Sequence, residues 1–225
     1  MDIVYNELQK MTSSEADIRL ASLKVQDFLA KLASDQPAPG GGSAAALAGA
    51  MAGALTCMVA RLTIGRERYA ASQQQMIRVR DRAETLRTRL TTLVDEDALA
   101  YQDVLKAFSL PKAAEADSAL RVSEIQRALR RAAEVPLEAA EACEELIELA
   151  ATCAALGNRN AVSDAAVAAL LAHAGMRGAE FNVRTNLDGL RDQAFNSAAE
   201  AHLSHLLTAG DAALARTLTA AGLGE

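Results

Sequence analysis

Apolar positions recur along most of this chain at alternating steps of three and four, the spacing that puts side chains on one face of an α-helix. Ile18, Ala21, Val25, Phe28 and Leu32 form the first stripe, with Ser13 or Ser14 placed to cap its helix. The longest stripe runs from Met76 through Val79, Ala83, Leu86, Leu90, Leu93, Ala100 and Val104 to Ala107. It predicts one long helix with a bundle-type seam. A second long seam joins Val122, Ile125, Leu129, Ala132, Pro136, Ala139, Cys143, Leu146, Ala150 and Cys153 before Gly157. Pro136 lies inside it and predicts a kink or a restart. Ser163 and Asp164 are expected to cap a fifth helix whose apolar face includes Val167, Leu170 and Leu171, loosened at Gly175 and Gly178. Phe195, Ala199, Leu203, Leu206, Leu214 and Leu218 mark a last helix. Alternating runs of strand type are missing. The expected fold is therefore all-α: a single-domain bundle of about six helices, long and antiparallel, across residues 1–225, with 1–14 as a flexible N-terminal arm.

The stretch between the first two stripes has a different character. Pro37-Ala-Pro-Gly-Gly-Gly-Ser43 is the chain's dense run of turn residues, and behind it Ala44 to Ala60 is apolar except for Thr56 but poor in bulky side chains. Glycines there can take positive φ or let a ligand approach backbone closely, so the loop is either a hinge or a ligand platform, and Ser43 is placed to cap the helix. Gly49 and Gly53, one turn apart, thin that helix so that neighbours can come close. It is expected at the centre of the bundle and at a dimer contact. Its 17 residues, mostly Ala and Gly, fall short of the ~20 strongly apolar ones that span a bilayer, so no membrane is expected.

Composition narrows the function. A net charge of −6 argues against a nucleic-acid partner. Residues 61–89 carry eight arginines against three acids, which suits an anionic small molecule or a solvated helix face. Cys57, Cys143 and Cys153 lie in apolar patterns without Cys-x-x-Cys spacing and are expected to be reduced and buried in a cytoplasmic protein without a secretory signal. His202 and His205 have no third ligand beside them, so no metal site is expected. Dinucleotide, Walker and nucleophile-elbow motifs are missing. One residue breaks the long seam. Asp97 sits where an apolar side chain belongs, and a carboxylate withdrawn from water is costly unless paired. Either the helix turns to solvate it beside Asp95 and Glu96, or the position is functional.

Taken together in order, Pro39-Gly-Gly-Gly-Ser43, Met58-Val-Ala-Arg-Leu-Thr-Ile-Gly65, Leu93-Val-Asp-Glu-Asp97, Leu110-Pro-Lys112, Val135-Pro-Leu137, Ser163-Asp164 and Phe181-Asn-Val-Arg-Thr-Asn-Leu187 resemble the cyclodeaminase domain of formiminotransferase-cyclodeaminase and the stand-alone bacterial methenyltetrahydrofolate cyclohydrolases similar to it. The resemblance spans about residues 25–190. It implies an all-helical homodimer acting on tetrahydrofolate one-carbon derivatives without metal or redox cofactor. It marks Asp97, the second aspartate of the Val-Asp-x-Asp motif, as the catalytic acid/base. The implied reaction is hydrolysis of 5,10-methenyltetrahydrofolate to 10-formyltetrahydrofolate, with formimidoyltetrahydrofolate cyclodeaminase as the alternative. A non-catalytic folate carrier and a helical dimerisation module are the alternatives of other classes. A chain of 225 residues is expected to hold no formiminotransferase domain. For such a substrate, Gly40, Gly41, Gly42 and Ser43 would wall the flat ring. Asn182 and Asn186, at i and i+4, would read the pterin edge, and Arg184 or Lys112 would meet carboxylates. Arg184 stands where some bifunctional members carry an apolar residue.

Overall fold

The computed structural model describes residues 19–111 and 113–222. Six α-helices follow one another: α1 (Val25–Leu32), α2 (Gly41–Thr63), α3 (Gln73–Ser109), α4 (Glu115–Leu156), α5 (Val162–Leu187) and α6 (Gln193–Ala220). Short 3-10 turns at Leu20–Ser22, Glu67–Ser72 and Arg159–Ala161 lie between some of them, and no strand occurs among the described residues. The chain is all-α. Helices α2, α3, α4 and α5 form a ring in which each packs on the next and α5 closes on α2, while α6 lies across α4 and α5. Short connections make sequence neighbours antiparallel.

The α3 seam is buried as patterned, from Met76 to Leu93 and again at Ala100 and Ala107. Small residues let α2 pack closely on its neighbours in the ring. A Cβ on Gly175 of α5 would lie 2.8 Å from the Ala45 carbonyl oxygen and 3.2 Å from the Gly49 nitrogen, and one on Gly49 would lie 2.5 Å from Cys143 Sγ. Gly175 and Gly178 therefore do not loosen α5, which runs unbroken to Leu187. Gly175 is where α5 meets the α2 backbone, and Gly178 is where it meets the Ala45 methyl. Helix α2 has 23 residues and is apolar enough to cross a membrane by composition, yet most of it is buried in the bundle. Gly65, at φ 77, turns the chain beyond its end.

Several local expectations are corrected. The first stripe breaks at Leu23 and Lys24, which are extended, so the register changes: Phe28 is buried, Val25 is 77% exposed, and Ile18 lies outside the described residues, as does the 1–14 arm. On α5 the buried face is the alanine face with Met176 and Val183, leaving Val167 and Leu170 exposed. That helix starts at Val162 behind a turn in which Asn158 Oδ1 accepts from Asn160 N–H, so Ser163 does not cap it. Helix α4 passes through Pro136 as one 42-residue run. The acids of α4 reach across to neighbouring helices: Glu138 to Arg89, Glu145 to Arg82, Glu141 to His202 and Glu148 to Arg216. All three cysteines are buried and free. Burial pushes the Cys143 and Cys153 thiols up to about 12 and Cys57 to about 11, which keeps them unreactive.

Candidate active site

Asp97 faces the first turn of α2. Ser43 Oγ donates to Asp97 Oδ2 at 2.8 Å, and the nearby Ser43 backbone N–H also favours the ionised carboxylate. The first N–H groups of a helix have no partner inside it, so an anion placed there is stabilised by them and by the helix dipole. The contact needs Gly42, because a Cβ at that position would lie 2.0 Å from Asp97 Oδ1 and 2.6 Å from its carboxyl carbon. None of the loop glycines has positive φ. Gly42 is required by closeness and not by conformation, with the carboxylate as the neighbour that comes close. Gly41 likewise faces Asn182, whose Nδ2 would lie 3.6 Å from a Cβ there.

Ser43 is fully buried and its side chain does not cap α2, whose N-cap is Gly40. It does not line the cleft described below. Its hydroxyl has two acceptors, Asp97 Oδ2 and the Val94 carbonyl at 3.0 Å, but a single proton to give. It donates to the carboxylate when Asp97 is ionised and can turn to Val94 when Asp97 is neutral. The carboxyl is half-buried at the base of the cleft. Burial, the larger influence, raises its pKa above the usual aspartate value, while the Ser43 hydroxyl and backbone N–H pull it back. The result is a carboxylate that takes up a proton more readily than one in water.

The cleft holds about 260 Å³. Its walls are Pro37, Ala38 and Gly40 to Gly42 from the loop, Asp97, Ala98 and Tyr101 from α3, Ala132 from α4, and Asn182, Thr185 and Asn186 from α5. The Ala38–Pro39 bond is cis. Gly40, Gly41, Gly42, Asp97, Asn182 and Asn186 are thus brought together. Arg184 is not. It lies halfway round α5 from the two asparagines, ion-paired with Glu180 and Glu200, and lines a separate hollow against α6. Lys112 lies outside the described residues. Tyr101 and Thr185 were legible but unread: Tyr101 is one turn from Asp97, and Thr185 is three residues from Asn182. Ala132 carries no such signal.

Among the described residues no cluster of three metal-ligating side chains occurs. The cleft offers one acid/base group, backbone next to it, a tyrosine ring and two amides. That set can move a proton beside a flat, polar ligand.

Comparisons with known proteins place the chain among relatives. The chain is 44% identical over 171 residues to the methenyltetrahydrofolate cyclohydrolase of Methylorubrum extorquens, covering 76% of this chain and 82% of that protein. It is 37% identical over 183 residues to the formimidoyltransferase-cyclodeaminase of Sus scrofa, covering 81% of this chain and only 34% of that longer protein. The crystal structure of formiminotetrahydrofolate cyclodeaminase from Thermotoga maritima superposes with a TM-score of 0.81 at 30% identity, over 89% of this chain and 96% of that one. Residues 24–205 match the profile described as formiminotransferase-cyclodeaminase, and they contain the glycine loop, Asp97 and both asparagines. The chain belongs to the formiminotransferase-cyclodeaminase family.

Proposed function

We propose that this protein is a methenyltetrahydrofolate cyclohydrolase, hydrolysing 5,10-methenyltetrahydrofolate to 10-formyltetrahydrofolate with Asp97 as general base and then general acid. The observation that carries the reading is a single proton-hungry carboxylate at the base of a cleft walled by backbone and amides. The relative at 44% identity, of which this chain covers most, favours this activity over the alternatives. Water attacks the amidinium carbon between N5 and N10, and Asp97 takes the proton as the C–O bond forms. The tetrahedral carbon then expels N5, which receives that proton from Asp97. The carbonyl forms on the carbon left on N10, and the hydroxyl proton leaves to solvent. One water is consumed and one proton released. The negative carboxylate also stabilises the cationic substrate. Its raised pKa brings it nearer the range in which one group can both accept and return a proton.

The cleft is smaller than the ~300–1,000 Å³ of pockets that enclose drug-sized ligands. It therefore takes the ring end of a folate and leaves the glutamate end outside. No metal or redox cofactor is required by this chemistry. The structural neighbour's activity supports a second reading. In formimidoyltetrahydrofolate cyclodeamination N10 attacks the formimino carbon and ammonia departs, which calls for the same proton transfers. Both activities are measured on one preparation, as decay of the methenyl absorbance and as ammonia release from 5-formimidoyltetrahydrofolate. Methenyl decay well above the buffer rate, without ammonia release, is the expected result. Ammonia release with no methenyl hydrolysis would replace the first reading by the second, and tight folate binding with neither would indicate a carrier.

The functional unit is a homodimer. Met51, Met58 and Leu62 stand exposed along the outer side of α2. Val167, Leu170 and Phe181 do so along α5, next to α2 across the Ala45–Gly178 contact. Exposed apolar side chains along two packed helices suit a second copy related by a two-fold axis. The protein is expected in the cytoplasm with its folate substrate, and no nucleic-acid partner is expected.

A further inference from the structure

Pro136 stands inside α4 and has no N–H to give, so the carbonyl four residues back, that of Ala132, loses its helical donor. Asn186 of α5 supplies one: its Nδ2 lies 2.8 Å from the Ala132 oxygen and 2.9 Å from the Asn182 oxygen. Asn182 is fixed in the same way, with Nδ2 2.9 Å from the Gly178 oxygen. Asn186 thus gives both of its amide hydrogens to backbone carbonyls and Asn182 gives one of its two, which fixes each nitrogen on the backbone side and presents each oxygen on the other. Neither Oδ1 has a partner among the described residues, and neither is a buried unsatisfied atom. Both residues, and Ala132 with them, line the cleft beside Asp97.

We infer that Pro136, which does not line the cleft, is a positioning residue for ligand recognition: by freeing the Ala132 carbonyl it locks Asn186, so that the α5 wall shows two hydrogen-bond acceptors to an N–H-bearing ring edge. This deepens the folate reading and rests on it. A reduced pterin carries such donors at its 2-amino group and ring N–H positions. A wall with two acceptors favours that edge over one that lacks a donor, because a buried acceptor left unpaired is costly. A proline inside a helix is in this case part of a specificity device.

The test is binding of tetrahydrofolate by calorimetry, with kcat and KM in parallel, for wild type, Asn186→Leu, Asn182→Leu and Pro136→Ala. Each leucine variant should bind roughly tenfold more weakly, the loss of about one hydrogen bond. Their KM should rise more than kcat falls. Pro136→Ala regains a helical N–H, so its melting temperature should rise or hold while affinity drops several-fold; a purely structural role would not give these opposite signs. In a Pro136→Ala/Asn186→Leu double variant the proline change should add nothing further to the binding loss. The 2-desamino analogue of tetrahydrofolate should bind wild type about tenfold more weakly than tetrahydrofolate, and the Asn182→Leu/Asn186→Leu variant about equally. Unchanged affinity and KM in Pro136→Ala and Asn186→Leu would overturn the inference while leaving the enzyme reading intact. Failure of wild type to bind tetrahydrofolate would overturn that reading as well.

Discussion

At the scale of single residues, Asp97 and Ser43 make separable predictions. Asp97→Asn keeps the shape and an oxygen to accept from Ser43 but cannot take a proton, so methenyl hydrolysis should fall by roughly 10²–10⁴. Its stability should move the other way. A carboxyl whose folded pKa is raised above its unfolded value costs nothing at low pH, where both states are protonated. It destabilises the fold once the pH has risen through the folded value. The melting temperature of Asp97→Asn should therefore match wild type in acid and exceed it increasingly toward neutrality; a gap that narrows with rising pH would contradict the burial of this charge. Ser43→Ala removes an interaction that lowers the Asp97 pKa, so the acid limb of kcat/KM should shift to higher pH. The acids flanking Asp97 on α3 are otherwise engaged: Asp95 accepts from the Ala21 N–H, and Glu96 pairs with Arg89 and with Arg131 of α4. The walls from α2 and α5 present no charge to the cleft, and the remaining titratable lining group is Tyr101. A shifted limb in Ser43→Ala is accordingly attributable to the lost hydroxyl.

At the scale of helices, close packing decides which changes are tolerated. Gly175→Ala would put a methyl 2.8 Å from the Ala45 carbonyl and 3.2 Å from the Gly49 nitrogen, both backbone atoms that cannot turn aside. It should destabilise by about 1–3 kcal/mol in denaturant titration, whereas Ala at Gly40, which meets nothing within 4 Å, should be nearly neutral. Periodicity made the two long helices and their seams readable, because a stripe of Leu, Val and Ile has one way to bury itself. The first helix misled because its stripe crosses an extended break at Leu23 and Lys24, which no spacing rule registers. Helix α5 misled because its buried face is built from alanines, leaving larger side chains such as Val167 outside. Asp97 was legible as a polar residue in an apolar seam, and the asparagines as an i, i+4 pair. The role of Ser43 was not, since a serine behind glycines reads as a cap; only the approach of α3 turns its hydroxyl to Asp97. Arg184 falls outside this cleft for a simple angular reason: two residues along a helix from Asn182 is the far side.

For the whole molecule the open surface is the informative part. Phe181 is 70% exposed and Met51 47%, on two helices whose other faces form the centre of the bundle. Isolated apolar residues are common on protein surfaces, but a face running along two packed helices is the mark of an interface. The cleft lies at the N-terminal end of that same α2, so the helix that would hold two subunits together also anchors the Asp97 carboxylate through Ser43. Met51→Glu places a charge on the apolar face at the middle of α2 and should convert a dimer into a monomer in sedimentation equilibrium. Leu120→Glu, at a residue 57% exposed near the start of α4, should leave the mass unchanged. Because Met51 lies about two turns along α2 from Ser43, a monomeric Met51→Glu that keeps kcat would mean the first turn of α2 is held by α3 and α5 alone. A monomer with lowered kcat and unchanged helicity would mean that the dimer helps to hold the catalytic carboxylate. A wild-type protein that is itself monomeric at the concentrations of the assay would remove the dimer from the proposed function and leave the face to another partner.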